Sequence, residues 1–265
     1  MTRGDVNSAR LGLLSGADPA PVEVLNEDSS FPVVLLCEHA GRAVPERLAG
    51  LGVTEAQLAS HIGWDIGAAS VARAMADILG APAVLQRYSR LVIDCNRPPD
   101  APDAMPEVSD GVSVPGNRGL GATERAARVD EIFRPFHEAV QAMFLRSPRR
   151  AAFAIHSFTP VLGGVARPWE LSFLFRDDRE TSLRLRKSVL RRRPETRIGM
   201  NQPYQIDDAS DWFVPRHGEA RNISHSLIEI RNDLIAGAQE QMAWAEILSA
   251  AISDFLEDDK NAADT

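Results

Sequence analysis

The chain has 265 residues, of which 44% are hydrophobic, and this is enough to build one large domain with a substantial core. With 29 basic and 37 acidic residues the net charge is −8, which disfavours a nucleic-acid-binding surface, because such surfaces usually carry a basic excess. The sequence has no run of about 18 apolar residues and no uninterrupted apolar N-terminal segment, so we expect neither a membrane span nor a signal peptide. Its two cysteines, Cys37 and Cys95, imply no disulfide scaffold, and we expect a cytoplasmic protein.

Apolar runs alternate along the chain with segments of helical periodicity. The runs predict strands, mostly buried on both faces, at residues 31–37, 83–85, 91–93, 151–155, 171–175 and 226–230. Helices are predicted at a capping box (54–57), at 65–79, at 129–144, in a basic segment before Pro194, and in a C-terminal segment that contains Trp244 and Phe255. This alternation indicates a single-domain α/β fold with a central, mostly parallel sheet flanked by helices.

We divide the chain into an N-terminal arm (1–30), one domain (31–258) and a C-terminal tail (259–265). Within the domain, Pro135 is expected to kink or split its helix. The Pro/Gly-rich segment 98–121 is too long for a simple connection, which makes it a candidate flap over a binding site.

Polar side chains lie at the ends of several predicted strands. Glu38 and His39 follow the first strand, His156 and Ser157 follow the fourth, Glu229 lies near the end of the last, and Arg90, Asn96 and Arg97 flank the strand at 91–93. In open α/β sheets, ligands bind beyond the carboxyl ends of the strands. The sequence therefore predicts a functional site at this edge of the sheet.

His39 and His156 are candidate zinc ligands, because catalytic zinc takes about three protein ligands and keeps an open position. Asp65, at the start of a predicted helix, is the favoured third ligand, although aspartate is also a common helix N-cap. Glu38 is the alternative. Adjacent residues of a strand point to opposite faces, which disfavours Glu38 and His39 as ligands of one metal ion.

The remaining candidates would act on a substrate. A carboxylate in an apolar strand is costly to bury unpaired, so Glu229 is interpreted as a general base beside a metal, or else as an ion-pair partner of Arg231. Arg90 could stabilise an oxyanion, and Asn96 with Arg97 could bind a substrate carboxylate, which indicates a small anionic substrate. His217, in a loop-like segment, is a further candidate for substrate contact.

Six motifs together resemble the N-formylglutamate amidohydrolase family over residues 32–236. They are Cys-Glu-His-Ala-Gly (37–41), Gly-Trp-Asp-Ile-Gly (63–67), Ser-Arg-Leu-Val-Ile-Asp-Cys-Asn-Arg (89–97), Val-Pro-Gly-Asn (114–117), Ile-His-Ser-Phe (155–158) and Ile-Glu-Ile-Arg-Asn-Asp-Leu (228–234). The resemblance implies a zinc-carboxypeptidase-like (phosphorylase/hydrolase-like) fold. It also implies zinc-dependent hydrolysis of N-formylglutamate to formate and glutamate, the closing step of one route of histidine degradation. Asn117 and Arg231 lie in these motifs and join the substrate-binding candidates.

Arg90, Asn96 and Arg97 are similar to the arginine and Asn-Arg pair that handle oxyanion and carboxylate in the related desuccinylase and aspartoacylase group. One position departs from that pattern. Related carboxypeptidase-like enzymes carry His-x-x-Glu as their first metal pair, whereas Arg42 lies three residues after His39. Asp65 must therefore replace the missing glutamate, or the affinity for metal is low.

Two other functions compete with a zinc amidohydrolase. A non-catalytic protein on the same fold could use the arginines to bind a carboxylate. A metal-free hydrolase could use Cys37 or Ser157 as its nucleophile, and it would keep its activity in the presence of a chelator. The sequence leaves the acyl group, the native metal and the oligomeric state open.

Overall fold

The structure is a computed structural model that describes residues 12–263, with side chains described to residue 258. Its strands are β1 (Val22–Leu25), β2 (Val33–Cys37), β3 (Ala83–Gln86), β4 (Val108–Ser109), β5 (Val112–Ser113), β6 (Ala151–Phe158), β7 (Val161–Leu162), β8 (Val165–Ala166), β9 (Leu171–Leu174), β10 (Ile198–Met200) and β11 (Ser224–Arg231). Its α-helices are α1 (Glu55–Leu58), α2 (Ala68–Leu79), α3 (Ala122–Arg128), α4 (Arg134–Arg146), α5 (Arg179–Arg192) and α6 (Ala238–Ala263). Within the described range, none of these helices combines the length and apolarity needed to cross a bilayer.

Seven strands form the central sheet, in the order β1-β3-β2-β6-β11-β9-β10. The four middle strands, β3, β2, β6 and β11, are parallel to one another. The edges differ, because β1 pairs antiparallel with β3 and β9 pairs antiparallel with β11, while β10 is parallel to β9. The predicted α/β fold with a mostly parallel sheet is confirmed.

Alternating residues of the buried strands supply two separate apolar cores. On one face, Val33 and Leu35 of β2 pack in a cluster with apolar residues of α2, α5 and α6. On the other face, Val34 and Leu36 pack with apolar residues of α4 and of the long loop after β3. Burial on both faces explains why β2 is a continuous apolar run, because neither face can carry a polar side chain.

The apolar run at 91–93 is not a strand, contrary to the prediction. Leu91, Val92 and Ile93 are buried, but they lie in a turn in which the Leu91 amide donates to the Ser89 hydroxyl (3.2 Å) and the Val92 amide to the Ser89 carbonyl (2.9 Å). These local hydrogen bonds replace a ladder to a neighbouring strand. The apolar run therefore predicted the burial of this segment correctly and its extended structure incorrectly.

The ends of the domain also differ from the predicted division. Strand β1 lies within the expected arm and pairs with β3, so the sheet begins before residue 31. Helix α6 continues to Ala263, beyond the predicted start of the tail at residue 259. Residues 1–11 of the arm and 264–265 of the tail lie outside the described residues. Pro135 lies in the first turn of α4, directly after a π-helical turn at Val129–Phe133 that joins α3 to α4 without a break in the helical backbone.

A buried arginine anchors the long loop 98–121. The Arg128 guanidinium donates to the Asn117 Oδ1 (2.6 Å) and to the carbonyls of Val92 (2.8 Å) and Gly116 (3.1 Å). The Asn117 amide nitrogen in turn donates to the carbonyls of Leu91 and Pro106, both at 2.8 Å. Asn117 thereby joins the loop to the turn at 91–93 and to α3.

We predict that Asn117→Ala lowers the free energy of unfolding by about 1–3 kcal/mol, because it removes one acceptor of a buried guanidinium and the donor of two carbonyls. Chemical denaturation measures this change. Arg118→Ala is the matched control, since its guanidinium makes an exposed hydrogen bond to Ser113 and its loss should change the stability little. Equal stability of the Asn117 variant and the native protein would show that the network does not anchor the loop.

Candidate active site

The carboxyl ends of the parallel strands bring the predicted site residues to one edge of the sheet. His39 follows β2, and His156 and Glu229 are register partners near the ends of β6 and β11. A cavity of about 370 Å³ opens at this edge. Its walls include His39, Asp65, Arg90, Asn96, Arg97, His156, Ser157, Tyr204, Asp211 and Glu229. The side chains proposed for metal binding and for catalysis therefore share one cavity.

His39, Asp65 and His156 form a compact, buried group whose possible ligand atoms all lie within 4.8 Å of one another. The Asp65 Oδ2 is 3.3 Å from Nδ1 of His39 and 2.9 Å from Nδ1 of His156. The backbone helps to hold it, because the Asp65 amide donates to the His39 carbonyl (3.0 Å). Burial alone would raise the pKa of Asp65, but the two imidazoles outweigh burial and hold that pKa below its ordinary value.

The outer nitrogen of each imidazole faces a second carboxylate. Nε2 of His39 is 2.7 Å from the Asp94 Oδ1, and Nε2 of His156 is 3.0 Å from the Glu38 Oε2. Histidines that bind metal usually donate their other N–H to a carboxylate, which fixes the tautomer and the ring orientation. With Nε2–H donating outward, the Nδ1 lone pairs of both rings face inward to Asp65.

Such an arrangement requires a positive charge at its centre. Two imidazole lone pairs and a carboxylate oxygen are all acceptors, so without a cation or a proton between them they repel one another. The pKa of His156 shows that a positive charge is favoured here. Burial would lower it, but the hydrogen bonds to Asp65 and Glu38 raise it well above its ordinary value. The donor set of two nitrogens and one oxygen, with carboxylates behind both rings, fits a divalent metal such as zinc.

Arg90 lies against the same group of carboxylates. Its guanidinium donates to the Asp94 Oδ2 (2.6 Å) and lies 3.5 Å from the Asp65 Oδ1. The backbone N–H of Asn96 donates to the other oxygen of Asp94 (2.8 Å). Burial would raise the pKa of Asp94, but Arg90 and His39 outweigh it and lower that pKa well below its usual range. Asp94 is therefore ionised and held between the arginine and the histidine.

Glu229 lines the cavity and has one oxygen without a partner, a feature it shares with Glu38, which lies behind His156. The side chain is buried, and among the described residues Oε2 makes no hydrogen bond. Burial raises the pKa of Glu229 to about 7, assisted by the negative charge of Asp65 and opposed by His156. A buried carboxylate with a free oxygen and a pKa in this range can accept and return a proton.

Asn96 and Arg97 both line the cavity, but their contacts differ. The Asn96 amide nitrogen donates to Asp211 (2.8 Å), and its oxygen accepts from the amides of Trp212 (3.1 Å) and Phe213 (2.9 Å). Asn96 thus fixes the segment 211–213. Arg97 lines the cavity and donates through Nε to Asp103 (2.9 Å) and through Nη1 to the carbonyls of Ser210 and Asn96, so that among the described residues only its Nη2 makes no hydrogen bond.

Three residues expected to contact substrate are not among those that line this cavity: Asn117, His217 and Arg231. Asn117 belongs to the Arg128 network described above. His217 stacks on His137, with Nε2 of His217 2.8 Å from Nδ1 of His137. Arg231 pairs with Asp233 (2.8 Å). Each of these side chains has a structural partner at its own position.

Sequence reasoning passed over Asp94, Tyr204 and Asp211. Asp94 lies inside the 89–97 motif, and its place between Arg90 and Asn96 was the available signal. Tyr204 and Asp211 come from a segment with no strand or helix pattern, and they reach the cavity only because residues 203–211 fold over it. Nothing in their local sequence indicates this.

Comparison with known proteins identifies the family of the chain. A model of the family described as N-formylglutamate amidohydrolase matches residues 31–236. The crystal structure of a gene product from Agrobacterium tumefaciens is 35% identical, with a TM-score of 0.86, and the match covers 94% of this chain and 99% of that one. The N-formylglutamate amidohydrolase from Ralstonia eutropha JMP134 has the same fold, with a TM-score of 0.62 at 19% identity, and the match covers 90% of this chain and 99% of that one. No curated protein matches the chain. The chain belongs to the N-formylglutamate amidohydrolase family.

Proposed function

We propose that the protein is a metal-dependent amidohydrolase that cleaves the amide of a small N-acyl acidic amino acid. N-formylglutamate, hydrolysed to formate and glutamate, is the first substrate to test. Membership of the family supports hydrolysis of an amide. The observation that carries the proposal is the convergence of three metal-ligand atoms, an unpartnered buried carboxylate and two arginines in one cavity.

His39, Asp65 and His156 would hold one divalent metal ion, for which we propose zinc, through the two Nδ1 atoms and a carboxylate oxygen. Glu38 was the alternative third ligand. Because its Oε2 faces Nε2 of His156, on the outer side of that ring, we assign it to orienting His156. When bound, the metal supplies a Lewis acid that polarises a carbonyl and lowers the pKa of water.

The chain's own residues supply the rest of the reaction. Glu229 takes a proton from the attacking water and returns it to the leaving nitrogen as the C–N bond breaks. Arg90, held in place by Asp94, stabilises the negative charge that develops on the amide oxygen. Arg97 binds a carboxylate of the substrate through Nη2, while Nε and Nη1 stay on Asp103 and Ser210, and Asn96 keeps the wall beside it in position.

The competing functions are less well supported. A protein that only binds carboxylates gains nothing from burying Glu229 without a hydrogen-bond partner, which is costly. A thiol nucleophile must ionise, whereas burial raises the pKa of Cys37 well above its ordinary value. The Ser157 hydroxyl donates to the Ile66 carbonyl (2.9 Å), so it points away from any base that could activate it.

We predict that His39→Ala and His156→Ala each abolish stoichiometric zinc binding, because each removes one of three ligand atoms. Asp94→Asn should weaken the affinity for zinc by about 10–100-fold through loss of the outer carboxylate. Metal analysis of the purified variants measures both effects. His61→Ala, which changes a histidine outside the group, is the control and should keep full occupancy. Full zinc in both ligand variants would place the metal elsewhere.

We predict that Glu229→Gln lowers the rate of formate release by about two to four orders of magnitude, because it keeps the size of the side chain and removes the basic oxygen. Zinc content and folding should be nearly unchanged. Glu219→Gln is the control, since Glu219 pairs with Arg176 and does not line the cavity. Near-normal turnover of the Glu229 variant with intact zinc would transfer the role to another group.

We predict that Arg97→Lys weakens the apparent affinity for N-formylglutamate by about ten- to a hundredfold, or about 1.5–3 kcal/mol, because an ammonium cannot reproduce a planar fork. Steady-state kinetics with the substrate and with its uncharged amide analogue measure the effect. The analogue should lose little. Equal losses for the charged and the uncharged compound would assign Arg97 to structure.

A further inference from the structure

A second cavity, of about 290 Å³, adjoins the first and shares three of its side chains, Arg90, Arg97 and Tyr204. Its other walls come from outside the sheet, and many of them are apolar. These apolar residues are Ile62, Leu91, Pro106, Val108 and Leu162. Pro106 and Val108 belong to the loop 98–121, and Leu162 to the β7–β8 hairpin, so two surface segments close this cavity.

Each acidic residue in the walls of the second cavity has a basic partner. Three acidic residues in its walls pair with its three basic side chains: Arg90 with Asp94 (2.6 Å), Arg97 with Asp103 (2.9 Å) and His61 with Asp110 (3.0 Å). Arg90 and Arg97 also line the first cavity, where the proposed roles place them on the amide oxygen and on the carboxylate. The chemistry that remains available to a ligand is the apolar surface and the tyrosine ring.

The assigned roles orient a substrate across the two cavities. Glu229, which protonates the leaving nitrogen, lines the first cavity and not the second. Arg90, which faces the amide oxygen, lies on the wall that both cavities share. Arg97, which binds the carboxylate, lies on that wall too, so we place the amino-acid part beside Glu229 in the first cavity and direct the substituent on the carbonyl carbon past Arg90 into the second. In a formyl group that substituent is a hydrogen atom, which needs no cavity.

We propose that the second cavity binds an apolar acyl chain, so that the enzyme acts on N-acyl amino acids with acyl groups longer than formyl. This inference rests on the proposed amidohydrolase function and names its substrate class. Val108 supports it, because this lining side chain is 59% exposed, and an acyl chain in the cavity would cover it.

The test measures the binding of N-formyl-, N-acetyl-, N-butanoyl- and N-hexanoyl-L-glutamate to the zinc-loaded Glu229→Gln protein by calorimetry, where turnover does not interfere. The dissociation constant should fall about fourfold for each methylene that enters the cavity. In the native enzyme, kcat/KM should rise in the same order.

Leu162→Asp places a charge in the apolar wall and should flatten this dependence on chain length. Val165→Asp is the matched control. Val165 lies across the same hairpin as the register partner of Leu162, is 69% exposed and does not line the cavity, so its variant should keep the native dependence.

Constant or weaker binding with longer acyl chains would overturn the proposal, and so would an equal flattening in both hairpin variants. Tighter binding of N-formylglutamyl-leucine than of N-hexanoylglutamate would overturn it as well, because the cavity would then serve the amine side. Hydrolysis of N-formylglutamate alone leaves the proposed function intact and refutes the acyl site. Failure to hydrolyse any N-acylglutamate refutes the proposed function itself.

Discussion

The architecture of the site depends on one electrostatic constraint, the convergence of two imidazole nitrogens on a carboxylate oxygen. Acceptors at such short distances are stable only around a positive charge. The surrounding carboxylates follow from this requirement. Glu38 and Asp94 hold the outer nitrogens, and Arg90 in turn neutralises Asp94. Charges thus alternate outward from the centre, which allows so many ionisable groups to be buried together.

The parts of the fold that could be predicted are those with strong local signals. β2 and β6 are continuous apolar runs because both faces are covered, and Thr54 and Gln57 form the capping box that opens α1. The turn at 91–93 was misread because burial and strand share the same apolar signature when a segment is short. The edge strand β1 was missed because its four residues are half-buried and gain their extended form from pairing with β3.

The candidate site, too, could be predicted from the sequence only in part. Strand ends and sheet topology bring together His39, His156 and Glu229 independently of the loops, so the sequence was enough to single them out. The contacts of Asn96 could not be foreseen, because they depend on Asp211 and its neighbours, about 115 residues away. The side of a ring that Glu38 faces is also set by tertiary packing. Glu38 and His39 lie in a turn after β2, so strand alternation does not apply to them, and the sequence does not reveal that Glu38 faces His156.

The contacts between Arg128 and Asn117 hold the base of the long loop 98–121, and the β4–β5 hairpin lies at its tip. The base of the loop is tied to the turn that precedes Asp94, whereas the β4–β5 hairpin contacts the rest of the protein through the exposed His61–Asp110 pair and through the half-buried Val112. Changes in the length or side chains of that hairpin can therefore reshape the second cavity while the groups proposed for catalysis keep their geometry. In the proposed enzyme, the reacting groups would lie at the edge of the sheet, and the surface segments around the second cavity would select the acyl group.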